Sequence, residues 1–252
     1  MKISVCCPSY KRPKVETLEY LPFIKIYVDH KEAEEYKHEN PEADIVECPE
    51  GVQGNVARIR NWILDREFEG GADVCCLVDD DMKCIKSFEV EDGFGYNEKL
   101  LETDEFMIFL EKYSLLCAEW GYYLWGINSN SDPMVYLHYT PFSTLSFIGG
   151  PFSVHLKNAI RYDERFRLKE DYDIIIEHCR QNRGVLRVNK YHYYVKQATN
   201  IGGCASYRTN NEEEKQFRLL QKKWGDDIVK SDKISKRGFD FNPIIHIPIK
   251  GI

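Results

Sequence analysis

VCCLVDDDM, from Val74 to Met82, runs a strand-length apolar segment straight into three consecutive aspartates. Adjacent carboxylates repel at neutral pH and raise one another's pKa unless a cation or a set of hydrogen bonds offsets the charge. A bound metal ion is the simplest offset for Asp79, Asp80 and Asp81; a solvated acidic turn is the alternative. The apolar strand ahead of them favours the metal, because parallel sheets collect their ligands at the C-terminal ends of strands.

Outward from this segment, short β-branched runs alternate with helical patterns, which predicts a parallel sheet with crossover helices. Strands are expected at Lys2 to Cys7, Ile24 to Val28, Asp44 to Cys48 and Asp73 to Val78. An exposed helix is expected over Lys31 to Glu39. A second helix begins after Gly51 and Gly54, capped by Asn55 and burying Val56, Ile59, Ile63 and Leu64. Further on, the patterning gives a helix from about Asp104 to Trp120 and strands at Tyr122 to Ile127, Phe142 to Ile148 and Phe152 to Leu156. A helix starting at Asp171, one long strand or a pair over Leu186 to Val195, and a helix from about Glu212 to Trp224 complete the chain. The fold class is therefore α/β, with a Rossmann-like, mostly parallel central sheet flanked by helices. One domain is expected over 1–210, with the helix and basic tail of 211–252 packed on it or extending it.

The 252 residues are 43% hydrophobic and 30% charged, an ordinary globular composition. Apolar runs are strand-sized, so no membrane span is expected. MKISVCCPSY enters a strand pattern at once, without the apolar core of a signal peptide, which predicts a cytoplasmic protein. Nine cysteines include the pairs Cys6–Cys7 and Cys75–Cys76 on expected buried strands, and no CxxC occurs, so reduced, packed thiols are expected. The net charge of -7 argues against coating nucleic acid by bulk electrostatics. A local basic groove remains open through Lys222, Lys223, Lys230, Lys233, Lys236 and Arg237.

Four groups fall at what should be one edge of the sheet. In CPSYKRP, Pro8 ends a strand, and Ser9, Tyr10 and Arg12 offer a hydroxyl, a ring and a cation to a nucleotide. Asp29 ends the second strand and can accept from a base or ribose. Asn55, Arg58 and Asn61 on the second helix are suited to hold a diphosphate or the aspartates. Asp79, Asp80 and Asp81 are the fourth group, and one or two carboxylates plus substrate phosphates is the usual setting for Mg²⁺, with Mn²⁺ taking the same oxygens. A later cluster, Glu170 and Asp171, stands at a helix start, where a carboxylate is a favourable cap or a general base. His192 is a candidate third metal ligand, as are His155 and His246; a packed strand histidine is the alternative. HExxH, GxSxG and P-loop patterns are absent.

A strand ending in PSY, a helix carrying ARIRN, a strand ending in DDD and a later ED together resemble the nucleotide-sugar glycosyltransferases of GT-A fold. Within that fold the chain is most similar to the base J glucosyltransferase and TET-associated glycosyltransferase group, many of them phage-encoded. The resemblance implies a Mn²⁺ or Mg²⁺ ion bridging Asp81 and the diphosphate of a UDP-sugar, with Asp79 as the other end of a DxD motif and Asp79 or Asp80 near the ribose. It also implies that Asp171 of the ED element, beside Glu170, acts as base in an inverting displacement. The acceptor it implies is a hydroxymethylated pyrimidine in double-stranded DNA, and the compartment the host cytoplasm if the gene is a phage's. Transfer to a glycan, lipid-linked sugar or protein, a nucleotidyltransferase of related fold, and a non-catalytic nucleotide- or DNA-binding module are the alternatives.

Overall fold

The computed structural model describes residues 1–90, 96–195, 202–232 and 241–248. The chain begins with β1 (Ile3–Pro8), β2 (Lys25–Asp29), α1 (Ala33–Glu39), β3 (Asp44–Cys48), α2 (Val56–Glu69) and β4 (Val74–Val78). A hairpin of β5 (Met82–Val90) and β6 (Tyr96–Leu100) follows, then α3 (Phe106–Glu119), β7 (Leu124–Asn128), the short β8 (Phe142–Ser143) and β9 (Phe152–Leu156). Next come α4 (Glu170–Asn182), β10 (Leu186–Val195), α5 (Asn210–Trp224) and the pair β11 (Val229–Ser231) and β12 (Pro243–Ile245).

The main sheet is ordered β3-β2-β1-β4-β9-β7-β10-β5-β6, with β8 on β10. Strands β1, β2, β3, β4, β6, β7 and β10 share one direction, and β5, β8 and β9 oppose it. The sheet is thus mostly parallel, as the alternating pattern predicts. β4 is buried along its whole length, which is what helices on both faces of a parallel strand require. One core face gathers Val5, Cys7, Ile26 and Val28 with Phe106, Phe109 and Trp125; the other packs Cys6, Tyr27, Cys75 and Leu77 against Ile59, Ile63 and Leu64 of α2 and Ile174 and Ile175 of α4. The cysteines of both pairs are buried and free. Among the described residues, no helix is long and apolar enough to cross a membrane.

Two segments differ from the sequence expectation. The run Phe142 to Ile148 forms a strand only at Phe142–Ser143. Its apolar residues are covered instead by crossing the sheet face: Ile148 sits over β7 so closely that a Cβ at Gly126 would lie 2.3 Å from its Cγ2. The stretch after the aspartates, unassigned by patterning, is the β5–β6 hairpin. Leu186 to Val195 is one strand whose register shifts between Val188 and His192.

The turn Asp79 to Asp81 is stapled by Thr17, which is fully buried. Its Oγ1 donates to Asp79 O at 2.7 Å and accepts from Met82 N at 2.9 Å, while its N–H donates to Asp80 O at 3.2 Å. Thr17→Val keeps the shape and removes the hydroxyl. It is expected to cost about 1–3 kcal/mol, the usual result of stranding buried polar groups. Urea unfolding should show a lower midpoint at unchanged slope; an unchanged midpoint would remove the staple.

Candidate active site

The loop after β1 and the turn after β4 meet because those strands are neighbours in the sheet. Asp80 is buried at the junction: Ser9 Oγ donates to its Oδ2 at 2.5 Å, and Arg12 Nη1 binds its Oδ1. The same Arg12 nitrogen reaches Asp81 Oδ2 at 3.1 Å. Burial pushes the Asp80 carboxyl up to about 7; Arg12 and Ser9 oppose that rise, and the flanking aspartates add to it. Ser9 also hydrogen-bonds Tyr36 Oη at 2.8 Å, and Gln53 Nε2 holds Ser9 O at 3.1 Å, so the loop end is fixed from below. Gly203 N donates to Tyr10 O at 2.7 Å on the other side. Gly202 has φ +117, and a Cβ there would lie 2.5 Å from Lys11 O, so only glycine fits this approach.

Arg60 joins this cluster to the start of α4. Its guanidinium, 3% exposed, donates from Nη2 to Asp79 Oδ1 at 3.1 Å and to Gly150 O at 3.0 Å, and from Nη1 to Glu170 Oε1 at 3.0 Å. DDD and ED therefore belong to one site. Glu170 is buried, and burial together with the charge of Asp171 pushes it up to about 8 against the pull of Arg60. Asp171 is half-buried and accepts from Tyr172 N at 2.9 Å. It borders a cavity of about 10 Å³ shared with Gly149, Gly150, Ser153 and Tyr162. Burial raises its pKa, opposed by Arg60 and Lys169. A proton-accepting carboxylate whose affinity exceeds that of free aspartate suits general base work near neutral pH.

The other expected site residues are placed as follows. Asn55 caps α2, accepting from Ala57 N and Arg58 N, and its Nδ2 donates to Glu164 O at 2.8 Å. Asn61 exchanges hydrogen bonds with the Tyr162 backbone, at 2.9 Å and 2.7 Å. Arg58 is exposed and pairs with Glu164 at 3.1 Å. These three pin the 162–164 loop to α2. Pro8 ends β1, Tyr10 is half-buried under the Lys11 ammonium, and Asp29 accepts from Lys31 N at the end of β2. His192 lies elsewhere: it stacks on Phe88 at 4.5 Å, its Nε2 is 3.1 Å from Glu98, and it pairs in register with Lys86. Lys86 is five residues past Asp81 along β5, roughly 17 Å at the rise of a strand. His155 is buried against Tyr162, with burial holding its pKa well below the imidazole range. Gly149 and Gly150 make room for the protein itself, since Cβ atoms there would lie 2.0 Å from the Tyr193 hydroxyl and 3.2 Å from Arg60 Nη2.

Among the described residues, no group of three or more His, Cys, Asp or Glu side chains is arranged to hold a metal alone. A Mg²⁺ or Mn²⁺ site completed by substrate phosphates needs only one or two carboxylates. Asp79 and Asp81, 33% and 17% exposed against 7% for Asp80, fit that demand. Arg60, Thr17 and Tyr36 were not singled out by the sequence. Arg60 had a signal: it falls three residues after Ala57 and four before Leu64, inside the buried stripe of α2, where a lone charge is unusual.

Residues 17–203 match the family model of the TET-associated glycosyltransferases. The chain belongs to the TET-associated glycosyltransferase family. The match takes in DDD, ARIRN and ED together, the groups that Arg60 brings into contact. Solved structures with similar coordinates include A197 from STIV, at 12% identity and TM-score 0.41, covering 82% of this chain and 92% of that one. Mannose-1-phosphate geranyltransferase from Thermus thermophilus matches at 10% identity and TM-score 0.43, covering 77% and 75%. A putative nucleotide-diphospho-sugar transferase from Desulfovibrio desulfuricans matches at 12% and 0.42, covering 88% and 98%. No curated protein sequence matches the chain. This TET-associated glycosyltransferase is a transferase whose candidate site stands at the C-terminal ends of β1 and β4.

Proposed function

We propose that this enzyme transfers a sugar from a UDP-sugar to the hydroxyl of a hydroxymethylated pyrimidine in double-stranded DNA, by a single inverting displacement. The observation that supports it most is the Arg60 bridge, which links Asp79 of the aspartate turn to Glu170, the chain neighbour of Asp171. Asp81 and Asp79 are the residues to hold Mn²⁺ or Mg²⁺. When bound, the ion offsets charge on the departing diphosphate as a Lewis acid. Asp171 removes the acceptor's hydroxyl proton, the oxygen forms its bond to the anomeric carbon, and the bond to the diphosphate breaks, releasing UDP. Arg60 holds Glu170 paired, so that the basic role falls to its neighbour.

Contacts to DNA have fewer candidates than the sequence suggests. Lys223 is committed to Asp163 and Asp173, at 3.1 Å and 2.8 Å. Lys222 and Lys230 are exposed, and Lys233, Lys236 and Arg237 lie outside the described residues. Tyr193 is in the core, and Tyr191 packs on Phe109 at 4.7 Å, so neither offers a free stacking face to a base. Free, buried cysteines suit the reducing cytoplasm we assign to it, the host's if the gene is a phage's.

The test is sugar transfer to duplexes containing 5-hydroxymethylcytosine or 5-hydroxymethyluracil, against unmodified duplex, with Mn²⁺ present. The expected product is glycosylated base, formed at a rate that falls steeply with salt. Turnover of the donor that ignores hydroxymethylated DNA and proceeds on a glycan or protein would overturn the acceptor assignment.

A further inference from the structure

The family match ends at residue 203, yet α5 beyond it grips the segment carrying Glu170 and Asp171 on both sides. Before the pair, Arg167 N donates to Gln216 Oε1 at 2.9 Å. At the cap position of α4, Lys169 ion-pairs with Glu213, and both side chains are at most 5% exposed. Arg208 Nε holds the other oxygen of Glu213 at 3.0 Å. After the pair, Asp173 accepts from Lys223 Nζ at 2.8 Å and Trp224 Nε1 at 2.7 Å. Phe217 and Leu220 of α5 pack with Phe166 and Ile176 beneath these bonds.

Apolar packing would dock α5 at least as well as a buried ion pair, whose desolvation commonly cancels its attraction. What an ion pair adds is a fixed register. Each residue of helix turns a side chain by about 100°, so a small change in how α4 starts would carry Asp171 away from Arg60 and the cleft. We propose that the Lys169–Glu213 pair, which ties the cap of α4 to α5, is a positioning device for Glu170 and Asp171, making the C-terminal helix part of the catalytic unit. This rests on Asp171 being the base.

The double variant Lys169→Met/Glu213→Leu replaces the pair with an apolar contact. Turnover is measured by UDP release with Mn²⁺, on the best donor among UDP-glucose, UDP-galactose and UDP-N-acetylglucosamine, beside Asp171→Asn. The expected result is an unfolding midpoint equal to or above wild type. With it, kcat falls about tenfold or more while donor KM stays within about twofold, the pattern of lost transition-state alignment. Gln216→Met, which removes the acceptor for Arg167 N–H and, within α5, the donor to Glu212, leaves the Lys169–Glu213 pair in place; it is expected to lower kcat in the same way, and it decides whether α5 positions the pair if the double variant does not fold. Wild-type kcat in the folded variants, with Asp171→Asn inactive, would overturn the positioning role and leave the base standing. Full activity of Asp171→Asn, or no turnover by the wild type, would overturn both.

Discussion

Arg60→Met is expected to lower turnover by about a hundredfold or more, the scale of loss that follows an ångström of misplacement at a reacting centre. The guanidinium is the only described group contacting Asp79, Glu170 and the Gly150 carbonyl together. Removing it leaves Glu170 and Asp79 without the cation they share. Breaking a buried pair of this kind typically costs about 3–5 kcal/mol, so the urea midpoint should fall as well. Arg60→Lys separates the two effects. A lysine retains the charge but lacks the planar fork that reaches three acceptors in fixed directions. It is expected to recover most of the stability and little of the activity. Wild-type kinetics in Arg60→Met would show that the aspartate turn and the start of α4 act independently.

Asp171→Asn is expected to reduce kcat by about 10²–10⁴, the usual contribution of a general base, with little change in donor affinity. Burial raises the pKa of Asp171, and a general base acts in its deprotonated form. Activity should therefore rise with pH along a limb lying above the free aspartate value of about 3.9, and that limb should vanish from kcat/KM in the variant. Persistence of the limb in Asp171→Asn would assign it to another group. For stability the sign runs the other way. A carboxyl whose folded pKa is raised binds its proton more tightly when folded, so this term favours the folded state below the unfolded pKa and is lost as pH rises through the folded one.

Much of this site could be read from residue order, and the part that could not is non-local. The strand that delivers Asp79 to Asp81, the Asn55 cap and the placement of Glu170 and Asp171 on a helix start all depend on neighbours within a few residues. What offsets the three aspartates does not. Arg12 is 68 residues from Asp80, and Arg60 is 110 residues from Glu170; only the adjacency of β1 and β4 and the packing of α2 bring them in. For the same reason Ser9, read as a nucleotide ligand, is occupied with Asp80 and Tyr36, and Thr17 carries no local signal at all. Arg58 and Asn61 are suggested by lying one turn beyond the Asn55 cap, whereas spacing from the buried Ala57 and Leu64 points to Arg60. Phe142 to Ile148 misled because an apolar run of strand length is buried equally well by lying across a sheet as within it.

The most direct measurement is UDP release from a UDP-sugar panel by wild type, Asp81→Asn and Arg60→Lys, each with Mn²⁺ and with a chelator. The structure places the aspartate turn and the Glu170–Asp171 pair in one site. The proposed function predicts release by the wild type that the chelator and Asp81→Asn each abolish and that Arg60→Lys strongly reduces. Release that survives both Asp81→Asn and chelation would contradict a metal-assisted site built on this turn.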